Sequence, residues 1–378
     1  MPRINYGIPY KGSKNLIAEW AVSHVPECDT FIDVFAGGCA ITDCILRRGR
    51  AKHVIANDRD PMPVKCFEMA ARGEFADEDR WISREDFFAL KDTDPYTRFC
   101  YSFGNNAKDY LYSTTIEPYK RAIHYVLFHD YWDDLDRLCP EVCDACRSAI
   151  DGVTDRKERR LRFQQAFCNR VKELSGDNWL APIVQNNPLY RTVKTKKPKR
   201  DLSSGDDAHF EGVMGIQSLQ SLQSLERLER LQSLISLISL ERLQNLERLE
   251  RLEGLQNLER LESLECIQHA LETSNLDYRA LTERILTTDD AFVYCDPPYR
   301  GTQVYGECFD HDAFLDWALE IGRKCPILIS EYAIDRDGFV EVDTKQKQSN
   351  LSAVTSTIVT EKLYTVKGGV YATQNSIR

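Results

Sequence analysis

The 378-residue chain has no apolar run close to the ~20 residues a membrane-spanning helix requires. No charged-then-apolar leader opens it, so it reads as a soluble, untargeted protein. Positive charge is not in excess: 49 Lys and Arg stand against 59 Asp and Glu, for a net charge of −10. That balance excludes a uniformly basic nucleic-acid coat and leaves room for a local basic groove. The glycines after the first apolar strand are not spaced Gly-x-Gly-x-x-Gly, which disfavours a nicotinamide or flavin dinucleotide, and a full phosphate-loop pattern is also missing near the N-terminus. Hydrophobic residues at 42% suffice for a buried core, so the chain is not disordered throughout.

Cysteine is not scarce. The 13 cysteines, an odd number in a chain without a secretion signal, point to reduced thiols. Cys139, Cys143 and Cys146 in LCPEVCDAC have a spacing that an iron–sulfur cluster or half a zinc site could use. They also fall at i, i+4 and i+7, in step with Leu135, Leu138, Val142, Ala145 and Ala149, and Pro140 marks a helix start or break. Buried thiols on a helical stripe are the favoured reading.

The organisation is α/β at both ends. TFIDVFAG reads as a strand entering a Gly-rich turn, CAITDCILRRG as a helix and KHVIAND as a second strand. Residues 75–215 differ, with helices predicted near 115–135, 132–150 and 156–174. From 276 onward LDYRAL, the strand AFVYC, the helix AFLDWALEIGR and the strand PILIS restore the α/β pattern. The tail EKLYTVKGGVYAT predicts a hairpin turning at Gly368-Gly369. This divides the chain into 1–74 with 270–378, a middle region 75–215, and an insertion 216–269. In that insertion sixteen leucines recur at every third residue from Leu219 to Leu264. On an α-helix a step of three precesses around the whole surface, so a helix ~70 Å long would expose leucine on several sides and favour self-association. Glu226 and Arg230 have supportive helical spacing, and a tight solenoid is the alternative.

Four local patterns carry chemistry. Pro9-Tyr10-Lys11-Gly12-Ser13-Lys14 forms a basic turn able to hold an anion. Asp33-Val34-Phe35-Ala36-Gly37-Gly38 ends a strand where open α/β sheets bind ligands. Asp58, about 20 residues on and at the end of the next strand, suits ribose hydroxyls. Asp296-Pro297-Pro298-Tyr299 is the most specific. Its carboxylate and the Pro297 carbonyl can both accept from one exocyclic amino group, which leaves the nitrogen lone pair free, while Tyr299 offers a flat face to a base.

In this order PYKGSK, FIDVFAGG, ANDRD and CDPPY resemble the phage-associated, Dam-like DNA adenine-N6 methyltransferases, and LISEY and NLSA are similar as well. The resemblance covers residues 5–70 and about 276–365. It implies a seven-stranded, Rossmann-like methyltransferase sheet in 1–74 and 270–378, with a helical target-recognition region at 75–215 that binds double-stranded DNA. It implies S-adenosylmethionine as methyl donor, no metal, no membrane, and a cytoplasmic setting in a bacterial or phage-infected cell, with a restriction-modification context. Carried over by position, Tyr10, Lys14, Asp33, Phe35, Gly37, Asp58, Asp277 and Asp296 hold the donor, with Tyr10 at a place where Trp is frequent. Asp296, Pro297 and Tyr299 form the catalytic loop, and Cys295 is a buried strand residue and not a nucleophile.

For DNA contact, the basic run Lys194, Lys196, Lys197, Lys199 and Arg200 is the denser phosphate-binding patch. A second group is Arg156, Lys157, Arg159, Arg160 and Arg162, partly offset by Glu158. Tyr101, Phe103, Asn105, Asn106 and Lys108 are candidates for insertion at bases. Two other readings stay open: methylation of another amino group (cytosine N4, RNA adenine, a glutamine amide), and an inactive repeat-bearing scaffold or DNA-binding protein.

Overall fold

The computed structural model describes residues 4–105, 107–175, 270–299, 309–349 and 357–376. The leucine-triplet repeat and the basic run 194–200 lie outside the described residues. The chain separates into two compact units; among the described residues the first comprises 4–111, 270–349 and 357–376, and the second 112–175.

In chain order the first unit holds α1 (Ala18–Ser23), β1 (Cys28–Asp33), α2 (Ala40–Arg48), β2 (Ala51–Asn57), α3 (Pro61–Ala71), α4 (Arg84–Leu90) and α5 (Pro95–Cys100). The second unit's described residues form α6 (Glu117–His129), α7 (Asp133–Leu138), α8 (Pro140–Ile150) and α9 (Arg156–Ser175). The first unit then continues with β3 (Leu271–Ser274), α10 (Thr282–Thr287), β4 (Ala291–Cys295), α11 (His311–Gly322), β5 (Ile327–Glu331), β6 (Phe339–Ser349), β7 (Thr357–Val366) and α12 (Val370–Gln374).

The strands make one seven-stranded sheet in the order β3-β2-β1-β4-β5-β7-β6. β1 pairs in parallel with β2 and β4, β2 with β3, and β4 with β5. β7 runs antiparallel to both β5 and β6. This is the α/β methyltransferase-type sheet expected from the sequence. The period of two along each strand separates its faces. Phe31, Val54, Phe292, Tyr294, Leu328 and Leu363 pack with α1, α2 and Tyr371. Ile32, Ile55, Val293, Cys295, Ile327 and Ile329 pack with α10 and α11. Because helices cover both faces, AFVYC is apolar on both, and Cys295 is a fully buried strand residue.

The tail departs from the expected hairpin. The antiparallel partner of β7 is β6, upstream, and after Gly368-Gly369 the chain enters α12 instead of a strand. Gly368 takes φ +68°, and a Cβ on Gly369 would lie 2.4 Å from the Gly322 carbonyl oxygen. Gly368 therefore supplies the left-handed turn, and Gly369 a close crossing with the end of α11, a long-range contact that local turn chemistry does not encode.

In the second unit, Ala122, Val126, Leu135, Val142, Phe163, Phe167 and Val171 share a core with Cys139, Cys143 and Cys146. The thiols occupy the stripe read from the sequence, and Pro140 starts α8. Arg159 donates to Asp130 and to the Val126 carbonyl, and Arg162 pairs with Glu158, so part of the basic face of α9 is internally compensated. Among the described residues no cluster of His, Cys, Asp or Glu is arranged to hold a metal, and no helix is long and apolar enough to cross a membrane.

Gly322 closes α11, where a Cβ would sit 2.4 Å from Val366 Cγ2 and 2.8 Å from Ile327 Cγ2. Gly322→Ala should therefore cost about 1–3 kcal/mol by overpacking. A differential scanning measurement should show the first unit's thermal midpoint lowered by several degrees; an unchanged midpoint would contradict this packing.

Candidate active site

The site forms where parallel strands end side by side. Asp33 closes β1, Asn57 closes β2, Asp296 comes directly after β4, and Glu331 closes β5. The chain proceeds outward from β1 to β2 and β3, then returns to place β4 on the other side of β1. That reversal creates the crevice at which open α/β sheets bind ligands.

Asn57 ties the strand ends together. Its Nδ2 donates to the Val34 carbonyl (3.0 Å) and to the Leu276 carbonyl (3.0 Å). Its Oδ1 accepts from Ser274 Oγ (2.8 Å) and from the Leu276 amide (2.9 Å). All four hydrogen-bonding positions of a buried amide are filled, so the side chain is locked. Asp58, next in sequence, accepts from the Gly37 amide (2.8 Å) through one oxygen and from the Asp60 amide (2.9 Å) through the other. The glycine turn thus hangs on Asp58, and each oxygen keeps a further lone pair.

The N-terminal segment is fastened onto this turn. Ile8 donates its amide to the Gly38 carbonyl (2.8 Å), and the Gly7 amide donates to buried Asp43 on α2 (2.9 Å). Gly7 takes φ +66°, and a Cβ there would lie 2.2 Å from the Gly38 oxygen; a Cβ on Gly38 would lie 2.5 Å from Tyr10 Cβ. The close approach that these glycines permit is that of the chain's own residues 7–10.

Lys14 is delivered by this fastening into a buried position. Its ammonium pairs with Asp296 at 3.1 Å and Glu361 at 3.3 Å, and donates to the Tyr299 hydroxyl. Tyr299 in turn donates to the other Glu361 oxygen at 2.7 Å, with Ser330 Oγ at 3.1 Å. Burial disfavours the charged amine, but the two carboxylates outweigh it and hold the Lys14 pKa above its ordinary value. By residue type alone the turn is an anion holder. The structure corrects this for Lys14, whose charge is directed at the protein's own carboxylates because the segment folds inward.

The crevice is acidic. Burial raises Asp33 to about 7, against the hydrogen bond from Thr42 and with Asp296 and Asp58 adding to the rise. Burial likewise raises Asp58 to about 6 and Glu331 to about 7, and in both cases the nearby Asp296 charge contributes. Asp33 Oδ2 accepts from Thr42 at 2.7 Å, while the fully buried Oδ1 has no hydrogen-bond partner among the described residues.

The fold therefore gathers Tyr10, Lys14, Asp33, Gly37, Asp58, Asp296 and Tyr299 around the ends of the sheet's inner parallel strands. Asp296 couples electrostatically to Asp33 and Asp58, linking the Asp-Pro-Pro-Tyr turn to the glycine turn. Pro297 lines a small hollow with Glu331, Ile329 and Phe314. Phe35 is different: its ring packs among Tyr278, Phe309 and Phe314, in the aromatic layer beneath the edge. Asp277 is exposed and accepts from the Arg279 amide at 3.0 Å, capping a short 3-10 turn. Tyr101 is buried and stacked on Tyr110, which removes it from the residues able to enter DNA, whereas Phe103 is exposed. Asn106, the side chain of Asn105, and Lys194, Lys196, Lys197, Lys199 and Arg200 lie outside the described residues. Glu361 was not singled out from the sequence, and Asn57, Ser330 and Glu331, although they stand in ANDRD and LISEY, were given no role there. A signal existed for Glu361: it shares strand parity with inward-facing Leu363, and a carboxylate at an inward strand position is rare without a partner.

Residues 10–135 match the family model described as D12 class N6 adenine-specific DNA methyltransferase. The match spans Tyr10, Lys14, the glycine turn and Asp58, and stops before the Asp296 turn. No curated protein matches the chain at a significant level. Over residues 10–135 the chain is thus similar to the D12 class N6 adenine-specific DNA methyltransferases, and the seven-stranded sheet collects an acidic crevice at its strand ends.

Proposed function

We propose that the protein is a site-specific DNA methyltransferase that uses S-adenosylmethionine to methylate N6 of an adenine flipped out of double-stranded DNA. The observation that carries this reading is the position of Asp296, directly after β4 and beside the end of β1 that carries Asp33, and ion-paired to Lys14.

The crevice residues fit the donor. Asp33 presents a buried carboxylate oxygen with no partner among the described residues, suited to a cationic group. Asp58 keeps lone pairs for ribose hydroxyls beyond the two amides it accepts, and Tyr10 lies over the glycine turn as an apolar wall. Asp277 and Gly37 are assigned to the adenine and methionine sides. When bound, S-adenosylmethionine supplies an activated methyl group on a sulfonium sulfur.

The chain's own task is then positioning. Asp296 and the Pro297 carbonyl accept the two N–H groups of the target amine, which turns the nitrogen lone pair away from the ring. A carboxylate already accepting an N–H is placed to receive the proton lost as the nitrogen gains carbon. Tyr299 packs beside the target base, and an adenine within a duplex reaches such a loop only by leaving the stack. Basic residues in 194–200 are assigned to DNA phosphates, where each contact releases counterions.

Asp296→Ala should abolish methyl transfer while leaving the circular dichroism spectrum unchanged. Incubation with labelled S-adenosylmethionine and DNA, followed by nucleoside analysis, should place the label on N6-methyladenine in the wild type and nowhere in the variant. Label on cytosine, or full activity in Asp296→Ala, would remove the reading.

Donor affinity should also fall as the pH is lowered. A cationic ligand prefers ionised carboxylates, and Asp33 (raised to about 7) and Asp58 (raised to about 6) must lose protons before it binds at lower pH. Calorimetry should show binding weakening from about pH 8 to about pH 6, by at most roughly tenfold per unit for each group. A flat profile would separate these carboxylates from the donor.

A further inference from the structure

Glu361 lies on the antiparallel strand β7, more than sixty positions after the Asp296 turn, and is fully buried. Neither the match over 10–135 nor any motif covers it. Its two oxygens are divided between two residues of the site: Oε1 faces Lys14 at 3.3 Å, and Oε2 accepts from the Tyr299 hydroxyl at 2.7 Å. Ser330, on the neighbouring strand β5, supplies the second contact of that hydroxyl at 3.1 Å. The strands β5 and β7 are registered so that Glu331 opposes Lys362 and Ser330 opposes Leu363, which fixes Ser330 and Glu361 relative to each other.

A phenol held through its oxygen by two sheet residues retains one freedom, a swing about that anchor, and its ring is also met edge-on by Tyr332 at 4.4 Å. The Pro297-Pro298 pair stiffens the backbone between Asp296 and Tyr299. Fixing the hydroxyl therefore fixes the turn at its far end, while Lys14, held by the same carboxylate, fixes Asp296 at the near end. We propose that Glu361 is a positioning residue for methyl transfer: it holds the Asp296–Tyr299 turn in register by anchoring Tyr299 and Lys14 together. This rests on the proposed assignment of that turn to the target amine.

The test is a double-mutant cycle in single-turnover methyl transfer, with E361A, E361Q, Y299F and E361A/Y299F. E361A should slow transfer by about tenfold or more with DNA affinity changed less than about threefold, E361Q should restore most of the rate because its amide oxygen still accepts from Tyr299, and in the Y299F background the added loss from E361A should shrink to below about threefold. A merely structural role predicts losses that multiply and no rescue by E361Q, and either result overturns the inference. If E361A does not fold, the cycle E361Q with S330A replaces it. Each single change should be mild and the pair should lose about tenfold or more, because the hydroxyl then keeps only the weaker, uncharged amide acceptor of E361Q; a simple product of the single effects overturns the inference. Wild-type transfer to a base other than adenine removes the proposed function and leaves the cycle readable on that base. No transfer by the wild type to any base of DNA overturns both.

Discussion

A lysine ammonium enclosed by two carboxylates and a phenol is expensive to bury and is retained only when each charge finds its partner. Lys14 meets that condition with residues from two distant stretches: Asp296 and Tyr299 in the turn after β4, and Glu361 on β7. The N-terminal segment must be docked for the charge to be compensated, and the last strand pair must be in register. One ion cluster thus joins the beginning, the middle and the end of the sheet-bearing unit.

The cluster also explains why the crevice is tense. Asp33, Asp58, Asp296 and Glu331 converge at adjacent strand ends, and burial together with mutual repulsion raises the carboxyl pKa of Asp33, Asp58 and Glu331 toward neutrality. Lys14 compensates part of this acidity on one side only. A site with excess buried carboxylate is matched to a positively charged ligand, and the buried Asp33 Oδ1 has no hydrogen-bond partner among the described residues.

Backbone constraints set the stage for this electrostatics. Asn57, at the end of β2, fills all four of its hydrogen-bonding positions with groups just past β1 and at the end of β3, and Asp58 suspends the glycine turn by the Gly37 amide. The glycines at 7 and 38 let two segments of chain pass within Cβ distance. These contacts explain why residues with no ligand chemistry of their own are needed to place those that have it.

Much of this was legible in the chain. The α/β alternation, helices α6 to α9, the buried cysteine stripe and the four motifs arise from period, turn chemistry and residue type, all of which act over a few positions. The tail misleads because a Gly-Gly pair signals a turn without specifying the element beyond it; β7 pairs with the upstream strands β5 and β6, and Gly369 serves a contact with α11. Lys14 misleads because a basic turn looks solvated until its distant partners are known. Glu361 is marked locally only as an inward-facing carboxylate, and Ser330 and Asn57 carry no local signature; the roles of all three exist only across strands. By itself the sequence determined the periodicities and the residue types at the strand ends, since these depend on local sterics and on the transfer of side chains from water. Only the tertiary structure decided which charges meet, because pairing between Lys14 and Glu361, 347 positions apart, depends on sheet order and register rather than on any neighbouring residue.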